Sequence, residues 1–506
     1  VQSGSVNTTA LIVPDVWVQI VPPSVSLLNG VPTNILGIVG TANWGPVNAP
    51  TIIGNMADYS AQFGPIQNRK YDMGTQVAAA VLQGAQNFRC VRVTDGTDVA
   101  ASIIAQTNCI TFTSKYSGTL ANADTVTIAT GSQTGTFKVT VARAGRVPEV
   151  FDNIGLGLTG NAIWVAMAAA INNGVNGLRG ASNLIVATAG AGVTTPTLAA
   201  YTLTGGTDGV TTISSTVLVG VDTVPRKGMY ALRNTGASIG VLADCDDTTT
   251  FTTQVSYGLS EGTYMIGVTP QGDSISTAVT NKGTAGIDSY AFKYLLGDWV
   301  YFLDTVNAVT RLISPQGFIA GLMSNQSPQL STLNQPLYGI VATQKSMQNL
   351  VYSDAELQAL FLAGIDVIAN PAPGGQYFAA RSGHNSSSNA VIHGDNYTRM
   401  TNYIAYTLNA GMGKFVGQLQ SSQPNDQTRR EIAATIGAFE DAMVQQGMID
   451  DHSEICDLTN NPLNRQALGY CQVDNKVRYL NIIEYLIVNM EGGGSVQINR
   501  AFTQTA

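Results

Sequence analysis

Hydrophobic and polar positions alternate in a short segment near the beginning of the chain. Val16, Val18 and Ile20 share one face of this segment, and prolines bound it on both sides. Such alternation predicts a strand, and proline is tolerated at strand ends and edges. No second strand follows within hairpin distance. We therefore expect this segment to join a distant sheet or the sheet of a neighbouring molecule.

A similar segment lies at the other end of the chain. Gly492, Gly493 and Gly494 predict a hinge, and Val496 and Ile498 alternate with polar residues in the arm that follows. An extended arm with free N–H and C=O groups can pair with a sheet edge of another subunit. Alternatively, both arms fold back on their own domain or stay disordered. The pattern alone leaves both alternatives open.

Between the arms, buried strands alternate with helices. An apolar run at 35–40, a helix at 75–83 and a strand at 88–93 predict a βαβ-like unit. Later, apolar residues spaced by 4, 3 and 4 positions predict a helix over 428–446. A dense apolar run at 477–488 predicts a strand covered on both faces. These elements indicate an α/β fold.

Residues 109–208 differ from the rest of the chain. Thr, Gly, Ala and Val dominate, and short alternating segments are separated by glycine-rich turns, which predicts a β-rich region. One helix, at 162–171, interrupts it. Helix and strand alternation returns after about residue 219. We therefore expect a β-rich domain inserted into the α/β domain.

Composition narrows the class of protein. A chain of 506 residues predicts about two to four domains. Only 11% of the residues are charged, which favours a chain that packs against other copies. The net charge of −8 and the absence of a Lys/Arg cluster predict no nucleic-acid partner. The sequence has no apolar run of about 20 residues, and its first residues lack the basic region and apolar core of a signal peptide, so we expect neither a signal peptide nor membrane insertion.

The five cysteines are scattered without a Cys-x-x-Cys spacing. Their odd number argues against a secreted disulfide framework and against a cysteine zinc site, and it predicts a cytoplasmic compartment. Cys456 and Cys471 flank a turn-rich segment and are a candidate disulfide, with free thiols as the alternative.

The sequence contains no motif for catalysis or cofactor binding. The two glycines of the loop 40–47 have the spacing of a phosphate-binding loop, but Pro46 and Val47 stand where that loop needs Lys and Ser or Thr. Ser382 and His384 lack the Gly-x-Ser-x-Gly elbow of a hydrolase. We expect no catalytic residues and no cofactor.

Histidine is scarce, with His384, His393 and His452 in the whole chain. His452 lies in the metal-capable run 450–454, but adjacent residues cannot converge on one ion as an i, i+4 pair does. We therefore predict a solvated loop there and no metal site.

Several segments, in order along the chain, resemble the contractile tail sheath proteins of phages and related injection machines. The opening PDVWVQI at 14–20 is similar to the Pro-Gly-Val-Tyr-Val-Glu-Glu opening of that family. The other matching segments are IVGTANWGPVNAP at 38–50, KYSGTLAN at 115–122, LTGGTDG at 203–209 and SPQGFIAG at 314–321.

Pattern and resemblance together predict an α/β (α+β) multidomain protein. The predicted parts are an N-terminal arm at 1–30, an α/β core at 31–108 and 209–350, an outward-facing β-rich insertion at 109–208, a tube-proximal α/β domain at 351–491 and a C-terminal arm at 492–506.

The resemblance implies a subunit of a helical tube that surrounds an inner tail tube and contracts without nucleotide. Its partners would be other copies of itself, the inner tube protein, and the baseplate and tail terminator proteins. It would be assembled in the bacterial host cytoplasm and reside in the virion tail. The alternative from another class is a β-rich, carbohydrate-binding virion adhesin, which the Thr/Gly-rich region 109–208 motivates.

Overall fold

The computed structural model describes residues 28–175 and 179–492 of the chain. The described part is a mixed α/β structure built around a six-stranded sheet, which confirms the predicted fold class. The predicted arm and hinge residues that lie outside the described residues are Val16, Val18, Ile20, Gly493, Gly494, Val496 and Ile498.

The first βαβ unit lies where the apolar pattern predicts it. All residues of its first strand are buried, and this strand pairs in parallel with the third. Asn55 and Asp72 cap the two helices, because their side chains accept hydrogen bonds from the N–H groups of Asp58 (2.9 Å) and Thr75 (2.8 Å). The elements are β1 (Leu36–Gly40), β2 (Thr51–Ile53), α1 (Met56–Phe63), α2 (Met73–Leu82) and β3 (Phe88–Arg92).

The inserted region follows β3 and has a core of its own around Phe112, Phe151 and Trp164. Its helix confirms the prediction at 162–171. The elements are β4 (Ser102–Gln106), β5 (Ile110–Ser114), β6 (Thr125–Thr130), β7 (Phe137–Ala142), β8 (Glu149–Ile154), α3 (Asn161–Asn173), β9 (Ile185–Ala189) and β10 (Ala200–Thr202).

Two antiparallel sheets form this region, in the strand orders β4-β5-β9 and β10-β6-β7-β8. Strand β4 precedes the predicted boundary at residue 109, yet it pairs with β5 inside the insertion. An isolated bridge between Ser102 and Thr204 joins the beginning of the insertion to its end. The sheets of the insertion therefore begin near residue 102.

The chain then returns to the central sheet, whose order is β13-β12-β11-β1-β3-β2 and whose pairs are parallel except for β2. The elements of this part are α4 (Ser215–Val219), β11 (Ile239–Leu242), α5 (Phe251–Glu261), β12 (Tyr264–Val268), α6 (Ile275–Thr284), β13 (Phe292–Leu295), β14 (Val300–Asp304), β15 (Val309–Ile313), α7 (Gln316–Asn325), β16 (Ile340–Thr343) and α8 (Gln344–Met347).

Both faces of the central sheet are covered. One core includes Leu36 and Ile38 of β1 together with residues of α2 and α7. The other includes Val39 of the same strand together with residues of α5 and α6. This three-layer arrangement explains the continuous apolar runs of the parallel strands, because neither face meets water.

The last part of the described chain packs beyond the β13 edge and ends in a two-stranded antiparallel sheet. Its elements are α9 (Asp354–Leu362), β17 (Ile368–Ala369), β18 (Ala379–Ala380), α10 (Asp395–Met412), α11 (Gln427–Gln445), β19 (Ile449–Ile455), α12 (Leu463–Gln466) and β20 (Asp474–Tyr479). Short 3-10 turns lie at Thr119–Ala123, Gly228–Leu232, Thr248–Thr250 and Gly413–Phe415.

Helix α11 confirms the helix predicted over 428–446. Its apolar stripe of Ile432, Ile436, Phe439 and Met443 is buried. Gly447 follows with φ of 66°, the left-handed conformation that a helix C-terminus favours and glycine adopts without strain.

Two sequence predictions near the end of the chain are wrong. The solvated loop predicted at 450–454 is part of strand β19, which pairs with β20. The covered strand predicted at 477–488 ends at Tyr479, and residues 480–492 form neither helix nor strand. No strand of the described chain covers this apolar segment, so it lies exposed.

No helix in the described part of the chain is both long and apolar enough to cross a membrane.

Candidate junction of the terminal arms

A buried charge cluster joins the central sheet to the C-terminal part of the chain. Lys293 on β13 lies 2.8 Å from Asp366 and 2.9 Å from Asp395, and all three side chains are fully buried. Burial lowers the pKa of Lys293, but the two carboxylates outweigh this effect and raise it overall. Likewise, burial raises the pKa of Asp366, but Lys293 and backbone N–H donors outweigh it and lower the pKa. Both groups are therefore held in their charged forms.

The same cluster positions the loop between β18 and α10. The Asp366 carboxylate accepts hydrogen bonds from the N–H groups of Ser382 (2.9 Å) and Gly383 (3.2 Å). Lys293 also donates to the backbone carbonyl of His384 at 3.0 Å. Asp395, the first residue of α10, accepts from the hydroxyl of Thr332 at 2.5 Å. The start of α10 is thus fixed to the central sheet by charge-assisted hydrogen bonds.

Helix α10 and helix α11 enclose a small separate core. It consists of Met400, Ile404, Phe439, Met443 and Ile449. Leu28, at the beginning of the described chain, packs against this core, and so do Val477 and Tyr479 of β20. The two ends of the described chain therefore meet at one place.

Hydrogen bonds fix both chain ends to α10. The N–H of Val31 donates to the hydroxyl of Thr407 at 3.1 Å. The hydroxyl of Tyr479 lies 3.1 Å from that of Thr401, which is six residues before Thr407 on the same helix. Asn396 donates through Nδ2 to the carbonyl of Leu480 at 3.3 Å. We call this place, formed by α10, α11, β19 and β20, the arm junction.

The sheet of the arm junction has two strands within the described residues, so each strand has one unpaired edge. A two-stranded sheet is marginally stable by itself. Here α11 packs against β19 through Ile449 and neighbouring residues. The unpaired N–H and C=O groups along both edges can accept a further strand.

The segment 480–492 leaves the arm junction as exposed apolar chain. Tyr485, Leu486 and Ile487 are 83%, 82% and 81% exposed. Four further apolar residues of the segment are also exposed, namely Leu480, Ile483, Val488 and Met490. Such a contiguous exposed apolar run is typical of a surface that another element covers. Gly492, the first predicted hinge residue, is the last residue of this segment.

Two histidines and a glutamate meet beside this segment. His384 Nε2 lies 3.0 Å from Glu484 Oε1, and His393 Nε2 lies 3.9 Å from the same oxygen. The centroids of the two imidazole rings are 3.8 Å apart. Burial and the neighbouring His384 lower the pKa of His393. The prediction of no metal site considered only the run at 450–454 as a source of ligands. It did not include this cluster, because nothing in the sequence links Glu484 to the two histidines.

A second titratable cluster lies between α11 and β19. His452 Nδ1 hydrogen-bonds to Glu454 and lies 3.4 Å from Oε2 of the buried Glu440. Burial and the hydrogen bond with Glu454 raise the pKa of Glu440 to about 7. Burial lowers the pKa of His452, but Glu454, Asp441 and Glu440 outweigh this effect and raise it.

The candidate disulfide residues lie side by side. The sulfurs of Cys456 and Cys471 are 3.9 Å apart and are not bonded. The turn-rich segment between them brings them together, as its sequence suggested. Burial and the neighbouring Cys471 raise the pKa of the Cys456 thiol to about 12.

The borders of the insertion meet around Arg92, at the end of β3. Its buried guanidinium donates to the carbonyls of Gly45 (2.8 Å), Ser117 (2.8 Å) and Asp208 (3.1 Å). Nearby, Trp44 reaches from the central domain into the core of the insertion, where its indole donates to Ser114 at 3.0 Å. The Arg92 side chain therefore holds together three segments that are distant in sequence.

No protein-family model and no curated protein matches the sequence. Solved structures do match. The sheath tail protein from Listeria innocua is 14% identical, with a TM-score of 0.60 over 89% of this chain and 96% of that chain. The sheath tail protein from Desulfitobacterium hafniense is 15% identical, with a TM-score of 0.56 over 87% of this chain and 93% of that chain.

This chain has the fold of the contractile tail sheath proteins. The sheath of the extracellular contractile injection system PVC, in its contracted state, shares it as well, with a TM-score of 0.52 at 11% identity over 96% of this chain and 99% of that chain.

Three of the resembling segments lie close together in the structure. Segments 38–50, 115–122 and 203–209 are the three that supply the carbonyls around Arg92. They therefore form the place where the β-rich insertion joins the central sheet domain.

Proposed function

We propose that this chain is the structural subunit of a contractile tail sheath and that it is not an enzyme. The observation that carries the proposal is the arm junction, where both ends of the described chain leave α10 next to a sheet with unpaired edges. The fold shared with solved sheath proteins supports the same reading.

In this proposal, the arms of neighbouring subunits add to the β19–β20 sheet. The N-terminal arm would pair through the strand of Val16, Val18 and Ile20, and the C-terminal arm through that of Val496 and Ile498. Each backbone hydrogen bond contributes about 1 kcal/mol net, so an added strand of several residues is a firm connection. The glycines at 492–494 would let rigid subunits reorient while the strands stay paired.

Contraction would need no nucleotide. Subunits would rotate and slide as rigid bodies from an extended arrangement to a shorter one that buries more surface, with the exchanged strands unbroken. The insertion would face outward and the C-terminal domain would face the inner tube. Among solved structures with this fold are a baseplate and a contracted helical sheath of the anti-feeding prophage. We propose the inner tube, baseplate and tail terminator proteins as partners, a location in the virion tail, and assembly in the host cytoplasm.

Electron microscopy of the purified full-length protein tests the proposal. Tubes or rings are the expected result. The variant Val496→Asp/Ile498→Asp places charge on the apolar face of the C-terminal arm and should abolish them. The matched control, Gln497→Asp/Asn499→Asp, adds the same charge to the opposite face of the arm and should leave polymers intact. A stable monomer at high concentration contradicts the sheath proposal.

If both double variants polymerise like the unchanged protein, strand exchange through the C-terminal arm is wrong. A glycan array probed with the full-length protein tests the adhesin alternative, for which specific carbohydrate binding without polymers would be the supporting result.

A further inference from the structure

We propose that His384, His393 and Glu484 bind one divalent transition-metal ion, with Zn²⁺ as the best match. One ligand atom from each residue lies within 4.8 Å of the other two. Two imidazoles and a carboxylate are a ligand set that Zn²⁺ accepts in open sites, where water or another group fills the fourth position. Imidazole ligands favour transition metals over Ca²⁺ and Mg²⁺, which prefer oxygen.

The distances fit a tetrahedral ion. Bonds of about 2.0–2.2 Å to zinc place neighbouring ligand atoms about 3.3–3.5 Å apart. The two distances from Glu484 Oε1 to the imidazole nitrogens, 3.0 Å and 3.9 Å, lie on either side of this value. Small side-chain rotations would make them equal.

A simple ion pair explains the cluster less well than a metal site. One protonated imidazole is enough to pair with Glu484. The second ring, at a centroid distance of 3.8 Å, then adds either repulsion between two cations or a partly buried neutral ring without a charge partner. A metal ion uses both rings in their neutral form. The described chain has three histidines, and two of them converge here.

The backbone around the two histidines is already ordered. The N–H of Asn385 donates to the carbonyl of His393 at 2.7 Å, and an isolated bridge links His384 to Gly394. Lys293 adds its hydrogen bond to the carbonyl of His384. Two ligands therefore come from a rigid loop, which lowers the entropic cost of binding the ion. The third ligand comes from the exposed segment 480–492.

The ion would attach this exposed segment to the loop before α10. Glu484 lies between the end of β20 and the hinge that begins at Gly492. A metal bond at this residue would fix the direction in which the C-terminal arm leaves the subunit. This last consequence rests on the proposed sheath function, whereas metal binding itself does not.

Calorimetric titration of the full-length protein with ZnCl₂ tests the site. The titration uses the background Cys456→Ser/Cys471→Ser, so that adjacent thiols do not bind zinc. We expect one Zn²⁺ per chain and at least a 100-fold weaker affinity in His384→Asn, in His393→Asn and in Glu484→Gln. Co²⁺ should give the visible absorption of a four-coordinate ion. Circular dichroism of each variant verifies that it is folded.

The matched control is His452→Asn, which removes the remaining histidine and should leave the affinity unchanged. Loss of binding in this variant alone would assign the ion to Glu440, His452 and Glu454 and overturn the proposal. No heat of binding at 100-fold excess ZnCl₂ would overturn it as well.

Limited chymotrypsin digestion gives a second readout. Zn²⁺ should slow cleavage after Tyr485 and Leu486 at least tenfold, and it should have no effect in Glu484→Gln. Equal rates with and without Zn²⁺ would show that the segment is not attached. Neither measurement reads out polymer formation, so a chain that binds zinc but forms no tubes would refute the sheath function and leave the metal site standing.

Discussion

The Nζ atom of Lys293 lies 2.9 Å from Oδ2 of Asp395, and both side chains are fully buried. This contact joins the last strand of the central sheet to the first residue of α10. Since both ends of the described chain contact α10, the position of the arm junction depends on this ion pair and on its second carboxylate, Asp366.

Lys293→Met should lower the free energy of unfolding by about 3–5 kcal/mol, because it removes the cation that lies between the two buried carboxylates, Asp366 and Asp395, and leaves both uncompensated. Urea denaturation followed by near-UV circular dichroism measures the change. The control is Arg478→Gln, which breaks an exposed ion pair with Asp450 and should cost less than about 1 kcal/mol. Similar losses in the two variants would contradict the role of the buried cluster.

The cluster between α11 and β19 should make the protein less stable as the pH rises from 5.5 to 8. Burial and Glu454 raise the pKa of Glu440 from 4.5 to about 7, so the folded state binds more protons than the unfolded state within that window. Stability therefore falls as Glu440 and His452 lose their protons, since the pKa of His452 is raised too.

Glu440→Gln should flatten this dependence of the urea midpoint on pH. The control is Glu431→Gln on the same helix, which should retain the slope of the unchanged protein. A slope that survives Glu440→Gln would assign the pH dependence to other groups.

Mild oxidation should link Cys456 to Cys471. The sulfurs are 3.9 Å apart, and closing the 15-residue separation would stabilise the fold by about 3 kcal/mol. Peptide mapping after diamide treatment should recover the linked pair, while the buried Cys90, Cys109 and Cys245 remain reduced. Cys471→Ser should show no rise in melting temperature on oxidation. Recovery of all five thiols after treatment would rule the pairing out.

Arg92→Met should loosen the contact between the insertion and the central sheet domain. The substitution leaves three backbone carbonyls without their hydrogen-bond donor. We therefore expect the free energy of unfolding to fall by about 3–5 kcal/mol. Hydrogen exchange should rise at segments 115–122 and 203–209. Arg89→Met on the same strand is the control, because Arg89 bonds only neighbouring residues, Asn87 and Phe88, among the described contacts. Unchanged exchange in Arg92→Met would contradict this role.

The spacing of apolar residues correctly predicted the helices and strands whose buried face is visible within their own sequence. The stripe of Ile432, Ile436, Phe439 and Met443 gave α11 almost to the residue, and the apolar run at 35–40 gave β1. The prediction of a covered strand at 477–488 is wrong for a different reason. An apolar composition indicates that a segment packs against another element, but it does not show whether that element belongs to the same chain.

The candidate site was harder to predict for a related reason. Leu28 and Tyr479 meet at the arm junction, and His384 and Glu484 meet in the histidine cluster. The residues of each pair are far apart in sequence, so no periodic pattern connects them. One signal was available: two of the three histidines lie within ten residues of each other. The partner carboxylate could be found only from the fold.

The unpaired edges of β19 and β20 also carry an aggregation hazard. An open edge accepts any extended polypeptide, including an unfolded one, and so invites aggregation. Charged side chains along this hairpin, Asp450, Asp451, Glu454, Lys476 and Arg478, make such indiscriminate docking unfavourable. Any added strand must carry charges complementary to these side chains, so the edges of this sheet discriminate between extended polypeptides by charge.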